Sequence, residues 1–271
     1  MGNLTSIVPI SRMGGRLQLL ATWLPKALDL GIYVVLVHDK QDDETGPELD
    51  GLIAKLNHEN LSFVEGEFNS PGLARNAGLE LSSTRWVSFW DSDDLVFPEI
   101  VLQELSESHT DDEVICFQYA EIANQNMMKT KKTQNRDQLI KNPGIWRLVL
   151  LRDLIGQVKF REFPMAEDQV FLWETGAFDS KIFYSNRVVY AYSIGDSNQA
   201  TASKRKINSL TKVIKCIKLN QIPKNSEDRN SLVVRLSLTL IKRGSARQKL
   251  CGIYHLASRS HYKKIKHRVG R

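Results

Sequence analysis

The sequence predicts an α/β fold in which a mostly parallel β-sheet is flanked by helices. Over residues 1–122, short apolar runs alternate with segments of helical periodicity. The run at 32–37 is Ile-Tyr-Val-Val-Leu-Val, so both faces of that strand are expected to be buried. Strands of this kind, separated by helices, indicate successive β-α-β units and hence a parallel sheet.

The individual elements follow from local patterns. In the first half, strands are predicted at 6–11, 32–37, 61–64 and 86–90, with helices at 15–30, 46–56 and 71–81. The second half is predicted to contain a helix at 98–108, a strand at 113–122, a polar connection or hairpin at 124–137, an amphipathic helix at 143–154, a helix at 166–178, and strands at 181–184 and 188–193. From Lys204 onward the pattern predicts two or three amphipathic helices.

Charge divides the chain into two regions. Residues 204–271 contain 19 Lys and Arg against 2 Asp and Glu, whereas residues 1–203 contain 18 against 29. We therefore predict an acidic α/β domain over 1–203 and a basic helical region over 204–271. A basic region of this kind can meet phosphate, lipid headgroups or nucleic acid, and a solvated helix face explains it equally well.

Cysteine usage and hydropathy bear on the cellular compartment. Cys116, Cys216 and Cys251 lie far apart and form no metal-binding spacing, which is typical of reduced intracellular thiols. No apolar run is long enough to span a membrane. We expect a cytoplasmic protein whose basic region contacts the anionic inner face of the membrane peripherally.

Three carboxylates follow the predicted strand at 86–90, in the run Asp91-Ser92-Asp93-Asp94. The carboxyl ends of parallel strands open onto the ligand crevice of an α/β sheet. Carboxylates gathered there repel one another unless a cation lies among them, and Mg²⁺ or Mn²⁺ takes oxygen ligands of this kind. The alternative is a set of capping acids for the helix that begins near Pro98.

Two further segments are weak signals by themselves. Gly72 allows a close approach of the backbone, and Arg75 could meet a nucleotide base or phosphate, or pair with a neighbouring acid. Glu167 and Asp168 open a predicted helix, where acids are the commonest decoration.

In order and spacing these segments resemble the family 2 glycosyltransferases of the GT-A fold. Pro9 lies in a segment similar to the opening strand of that family, and Asp39 matches the second aspartate of its Asp-Asp-Gly-Ser-type turn. Residues 74–78, Ala-Arg-Asn-Ala-Gly, resemble its A-R-N-x-G segment, and residues 91–94 resemble its D-x-D-D motif. Trp146 followed by Glu167-Asp168 is similar to its tryptophan-to-E-D arrangement. His38 and Lys40 depart from the turn pattern, which bears on which nucleotide is bound.

The resemblance, which covers about the first 200 residues, implies an inverting transfer of a sugar from a nucleotide diphosphate sugar to an acceptor hydroxyl. UDP is the favoured nucleotide, and the product implied is a surface polysaccharide or glycolipid. Residues implied in nucleotide-sugar binding are Pro9, Asp39, Gly72, Arg75, Asn76 and Asp91. Asp93, with Asp91 and Asp94, is implied as the ligand of Mn²⁺ or Mg²⁺. Asp168 is implied as the catalytic base, with Glu167 beside it.

Two other functions remain open at this point. A sugar-phosphate nucleotidyltransferase is suggested by Met13-Gly14-Gly15-Arg16-Leu17 with Pro25-Lys26, although fewer glycines are present than a triphosphate-binding loop needs. A non-enzymatic protein could bind nucleic acid or an anionic surface through its basic region. Only Tyr254 and Tyr262 are aromatic there, so stacking platforms for bases are scarce and nucleic acid is disfavoured.

Overall fold

The computed structural model describes residues 3–42, 44–107, 111–123, 126–193 and 204–269. Its strands are β1 (Leu4–Ile10), β2 (Tyr33–Asp39), β3 (Leu61–Gly66), β4 (Trp86–Phe89), β5 (Leu95–Val96), β6 (Val114–Ala123), β7 (Asn126–Lys131), β8 (Leu148–Leu151) and β9 (Ile182–Ser193). Its helices are α1 (Gln18–Asp29), α2 (Thr45–Leu56), α3 (Pro71–Glu80), α4 (Pro98–Ser106), α5 (Arg136–Lys141), α6 (Arg152–Ile155), α7 (Glu167–Glu174), α8 (Lys204–Leu219), α9 (Ser226–Arg243) and α10 (Ala246–Val269).

The strands form one mixed sheet in the order β3-β2-β1-β4-β8-β6-β9-β5, with β7 paired to β6. β1 to β4 are mutually parallel, as the apolar runs predict, because β1 pairs in parallel with both β2 and β4. β8 enters antiparallel between β4 and β6. The α/β fold class is confirmed. The strands that run antiparallel to β1–β4 are β5, β7 and β8, and all three follow the four parallel strands along the chain.

The predicted helix at 143–154 is wrong. The segment contains a 3-10 helix at Ile145–Arg147, then strand β8 and the short helix α6. Its aliphatic run at 148–151 completes the sheet between β4 and β6, and Leu148, Val149 and Leu150 are all buried. Side chains four residues apart mimic a helix here, but pairing with strands distant in sequence determines the conformation.

The two strands predicted at 181–184 and 188–193 are one strand, β9, whose register against β6 is irregular.

The chain divides into two compact units. The first contains residues 1–162 and 175–195 and holds the whole sheet; Trp23 of α1 packs edge-on against Trp90 in its core, with ring centroids 5.3 Å apart. The second contains residues 163–174 and 196–271, and thus α7 with the three basic helices α8, α9 and α10. Among the described residues, no helix combines the length and apolar character needed to cross a bilayer.

Candidate active site

The residues predicted to bind the donor lie at one edge of the sheet. Asp39 is the last residue of β2, Pro9 is the penultimate residue of β1, and Asp91 follows β4 by two residues. Gly72 and Arg75 lie on α3, which follows β3. The carboxyl ends of parallel strands border the ligand crevice in such sheets, so the structure brings these residues to the edge where a ligand is expected.

Asp39 anchors the loop that leads into α3. Its Oδ1 accepts hydrogen bonds from the backbone N–H groups of Phe68 at 2.8 Å and Asn69 at 3.1 Å. Asn69 has a φ of 58°, in the left-handed region that asparagine tolerates better than most residues. The Asp39 carboxylate therefore has a structural role in shaping this loop; its predicted contact with a nucleotide base remains a prediction.

Arg75 forms a partly buried ion pair with Asp91. Nη2 of Arg75 donates to Oδ1 of Asp91 at 2.9 Å, and the guanidinium lies 5.7 Å from the centroid of the Phe160 ring. The Arg75 side chain is only 6% exposed, against 27% for Asp91. The sequence predicts that Arg75 either binds a nucleotide base or phosphate or pairs with a neighbouring acid, and in the structure it pairs with Asp91. The pair connects α3 to the loop after β4.

Asn76 and Gly78 fix the position of α3. The Asn76 side chain donates to the Phe160 carbonyl at 2.9 Å and accepts from the Phe160 N–H at 2.8 Å, so its amide is engaged with backbone at both ends. A Cβ added at Gly78 would lie 2.4 Å from Cγ2 of Ile7 on β1. The glycine of the Ala-Arg-Asn-Ala-Gly segment is therefore required by close helix–sheet packing.

Residues 91–94, which follow β4, form an acidic loop. Asp94 is the buried member of this acidic loop, with 2% exposure. Its Oδ1 accepts the Ser193 N–H at 2.8 Å, and its carbonyl accepts the indole N–H of Trp23 at 3.2 Å. Burial raises the pKa of Asp94 to about 8; repulsion from Asp93 and Asp91 adds to the rise, whereas hydrogen bonds from Ser193 and Tyr190 oppose it. The loop thus holds a carboxyl group whose ionised form is disfavoured unless a positive charge lies nearby.

Asp93 is the accessible member, and its side chain is 39% exposed. Its carboxylate lies 3.9 Å from the guanidinium of Arg16. Within the described residues, no three Asp, Glu, His or Cys side chains converge to hold a metal ion by themselves. A cation here would need additional oxygen ligands, and the diphosphate of a nucleotide can supply them. With that completion, the partly exposed Asp93 would be the accessible protein ligand of a divalent ion.

Two residues that support this loop were not predicted from the sequence. Tyr190, which is fully buried on β9, accepts the Asp91 N–H at 3.0 Å and also bonds the Asp94 carboxylate. Its ring stacks on Trp146 with centroids 4.4 Å apart. Ser193 on the same strand provides the N–H bonded to Asp94. The alternating Tyr-Ala-Tyr pattern identified a strand, but not that it pairs with β5 beside the acidic loop.

The predicted base lies on α7, in the second unit. Glu167 is buried, and Asp168 is partly buried with its Oδ1 accepting the Gln169 N–H at 2.8 Å. Arg235 on α9 donates to Oε1 of Gln169 at 2.8 Å. Burial lowers the pKa of Arg235, and the charge of Asp168 opposes that shift, so the guanidinium interacts electrostatically with the predicted base. Ala166, just before these acids, has a φ of 64° that marks a strained turn.

The family assignment follows from the sequence over this framework. Residues 19–171, more than half of the chain, match the model of glycosyl transferase family 2. The chain belongs to this family. This match confirms that the sequence motifs resemble those of family 2 glycosyltransferases. It disfavours the alternative that the chain is a sugar-phosphate nucleotidyltransferase. No curated protein sequence matches the chain.

Solved structures share the fold of this family 2 glycosyltransferase. Residues 1–349 of S. aureus TarS, in complex with UDP-GlcNAc, superpose with a TM-score of 0.66 at 15% identity, covering 90% of this chain and 74% of that one. The mannosyltransferase PcManGT from Pyrobaculum calidifontis, in complex with GDP-Man and Mn²⁺, superposes with a TM-score of 0.59 at 14% identity, covering 97% and 82%. At these identities the likeness establishes the GT-A fold alone.

Proposed function

We propose that this glycosyltransferase transfers a sugar from a nucleotide diphosphate sugar, with UDP as the favoured nucleotide, to an acceptor hydroxyl with inversion. The observation that carries the proposal is the acidic loop after β4, in which Asp91 is paired with Arg75 and Asp94 is held by Ser193 and Tyr190. In a chain of this family, a loop so firmly anchored leaves Asp93 as the accessible carboxylate. Two ligand-bound structures with this fold hold UDP-GlcNAc and GDP-Man, which supports a nucleotide-sugar donor here.

We assign donor binding to the sheet edge. Asp39 and Asp91 would contact the base and ribose, while Pro9, Gly72, Arg75 and Asn76 shape the surrounding backbone. Arg75 would act through Asp91, because its guanidinium already bonds that carboxylate. The departures His38 and Lys40 adjoin Asp39, and so bear on which base is accepted.

Asp93, supported by Asp91 and Asp94, would hold Mn²⁺ or Mg²⁺. Such an ion, when bound together with the donor, supplies positive charge that stabilises the departing diphosphate. The structure of the P. calidifontis enzyme in complex with GDP-Man and Mn²⁺ supports a divalent ion here.

The transfer itself needs a base. The acceptor oxygen attacks the anomeric carbon as the bond from that carbon to the diphosphate oxygen breaks, and the bonding electrons leave with the diphosphate. Asp168 takes the proton of the attacking hydroxyl, so a single displacement inverts the anomeric configuration. Glu167, the residue before it, is buried beside the proposed base.

The cellular role proposed is synthesis of a surface polysaccharide or glycolipid in the cytoplasm. Residues 1–203 would form the catalytic domain. The basic region 204–271 would contact the anionic inner face of the membrane or an anionic acceptor, since it carries 19 Lys and Arg against 2 acids. Nucleic acid is the disfavoured partner.

A donor screen tests this function. The purified chain is incubated with UDP-, GDP- and dTDP-sugars in the presence of Mn²⁺ or Mg²⁺, and nucleoside diphosphate release into water is followed. The expected result is metal-dependent release from one nucleotide class. Pyrophosphate release from a nucleoside triphosphate, with no hydrolysis of any nucleotide sugar, would refute the proposal.

A further inference from the structure

The second unit has an open groove along α9 that the proposed donor site does not use. The groove has a volume of about 400 Å³. Its lining residues occupy one face of the helix at intervals of three and four: Ser231, Val234, Arg235, Leu238, Thr239 and Lys242. Leu238 is 41% exposed, and Ser231 and Lys242 are exposed as well. The groove runs from Ser231 to Lys242, twelve residues that span roughly 16 Å of helix.

The part of the groove around Arg235 adjoins the turn that carries the proposed base. Arg235 forms part of the wall and donates to Gln169, the residue after Asp168. Asp168 and Arg235 also interact electrostatically. All of these residues belong to the same unit. A molecule lying in the groove therefore passes beside the helix turn that carries Asp168.

The chemistry of the lining identifies the kind of occupant. Among the described residues that line it, two are cations, two carry hydroxyl groups and two are aliphatic; none is acidic or aromatic. Neutral sugars are commonly bound by aromatic faces and carboxylates, and this surface offers neither. Cations and hydroxyls together are suited to an anion such as phosphate. Lys242 lies two helical turns, about 10 Å, beyond Arg235.

We infer that the groove on α9 binds an acceptor that carries an anionic group, with that group at Lys242 and the reactive hydroxyl toward Asp168. The inference rests on the proposed function for the role of Asp168. The anion could be the phosphate or the carboxylate of a glycan. Arg243 provides a matched comparison, because it is exposed in the same last turn of α9 but does not line the groove.

Binding of small probes tests the inference separately from turnover. Glucose 6-phosphate, glucuronate and glucose are titrated into the full chain by NMR, with and without UDP and Mn²⁺ to fill the donor site. We expect the anionic probes to bind and glucose not to bind. Lys242→Gln should weaken binding of the preferred anion about tenfold, whereas Arg243→Gln should leave it within about twofold, since a charged contact is lost only in the first case.

Comparison of the probes identifies the anion: tighter binding of glucose 6-phosphate indicates a phosphate-bearing acceptor, and tighter binding of glucuronate a carboxylate-bearing one. Equal effects of the two substitutions, or equal binding of glucose, would overturn the inference. Failure of the proposed function has a different signature, which is the absence of metal-dependent hydrolysis of any nucleotide sugar by the unmodified protein.

Discussion

The Arg75 guanidinium on α3 lies 2.9 Å from Oδ1 of Asp91, the first acid after β4. This ion pair joins the helix that follows β3 to the loop that follows β4. Because Arg75 is almost fully buried, removing either partner would leave the other charge poorly compensated. The pair thus connects the Ala-Arg-Asn-Ala-Gly segment of the family with its D-x-D-D motif.

Arg75→Met should lower the free energy of unfolding by about 1–3 kcal/mol, because it leaves Asp91 without its buried hydrogen-bond donor. Urea denaturation followed by circular dichroism measures the change. Arg247→Met removes an exposed guanidinium of α10 and should change stability by less than about 0.5 kcal/mol. Equal effects of the two substitutions would argue against a structural role for the ion pair.

Tyr190→Phe removes the hydroxyl that bonds both Asp91 and Asp94 but keeps the ring stacked on Trp146. We expect metal-dependent donor affinity to fall about tenfold, since the acidic loop loses a buried anchor. Tyr192→Phe is the control, because the Tyr192 ring also stacks on Trp146 while no hydrogen bond from its hydroxyl is seen in the described structure. Calorimetric titration of both variants decides; unchanged affinity in Tyr190→Phe would contradict the role.

The extent to which this site could be predicted from sequence differs between its parts. β2 and β4 are apolar runs, so Asp39 at the end of β2 and the acids after β4 could be placed at the sheet edge by the parallel topology alone. Tyr190 could not be found in this way, because it reaches Asp91 across 99 positions through the pairing of β9 with β5. For the same reason β8 was mistaken for a helix. Local sequence patterns predict elements whose conformation depends on neighbouring residues. A strand such as β8, which pairs antiparallel between two others, depends instead on partners far along the chain.

Asp168→Asn should reduce transfer about 10²–10⁴-fold while nucleotide-sugar binding persists, because an amide cannot accept the acceptor proton. Turnover is measured by chromatography of the product and donor binding by calorimetry. Glu162→Gln, which removes an exposed acid shortly before α7, should leave both within about twofold. Retained turnover in Asp168→Asn would refute its role as the base.

The raised pKa of Asp94 predicts a pH dependence of stability. Its pKa is about 8 in the folded chain against an ordinary value of 3.8 in the unfolded chain, so between these values the folded state binds the additional proton. Stability must therefore fall as the pH rises across this window. In Asp94→Asn this contribution is absent, so from pH 5 to pH 8 the variant should gain about 3–4 kcal/mol relative to the unmodified protein.

Urea denaturation in EDTA at several pH values between 5 and 8 measures this difference. Asp29→Asn, which removes an exposed carboxylate at the end of α1, should give a curve parallel to that of the unmodified protein. Parallel curves for Asp94→Asn as well would show that burial does not raise the pKa of that carboxyl group.

Asp93 carries the central claim, that the accessible carboxylate of the acidic loop holds a divalent ion together with the donor diphosphate. The most direct test is a calorimetric titration of the preferred nucleotide sugar into the unmodified protein and Asp93→Ala, with Mn²⁺ and with EDTA. The account predicts that Mn²⁺ strengthens donor binding at least tenfold in the unmodified protein and has no effect in Asp93→Ala, about 1.4 kcal/mol or more of coupling. An equal gain from Mn²⁺ in both proteins would contradict it.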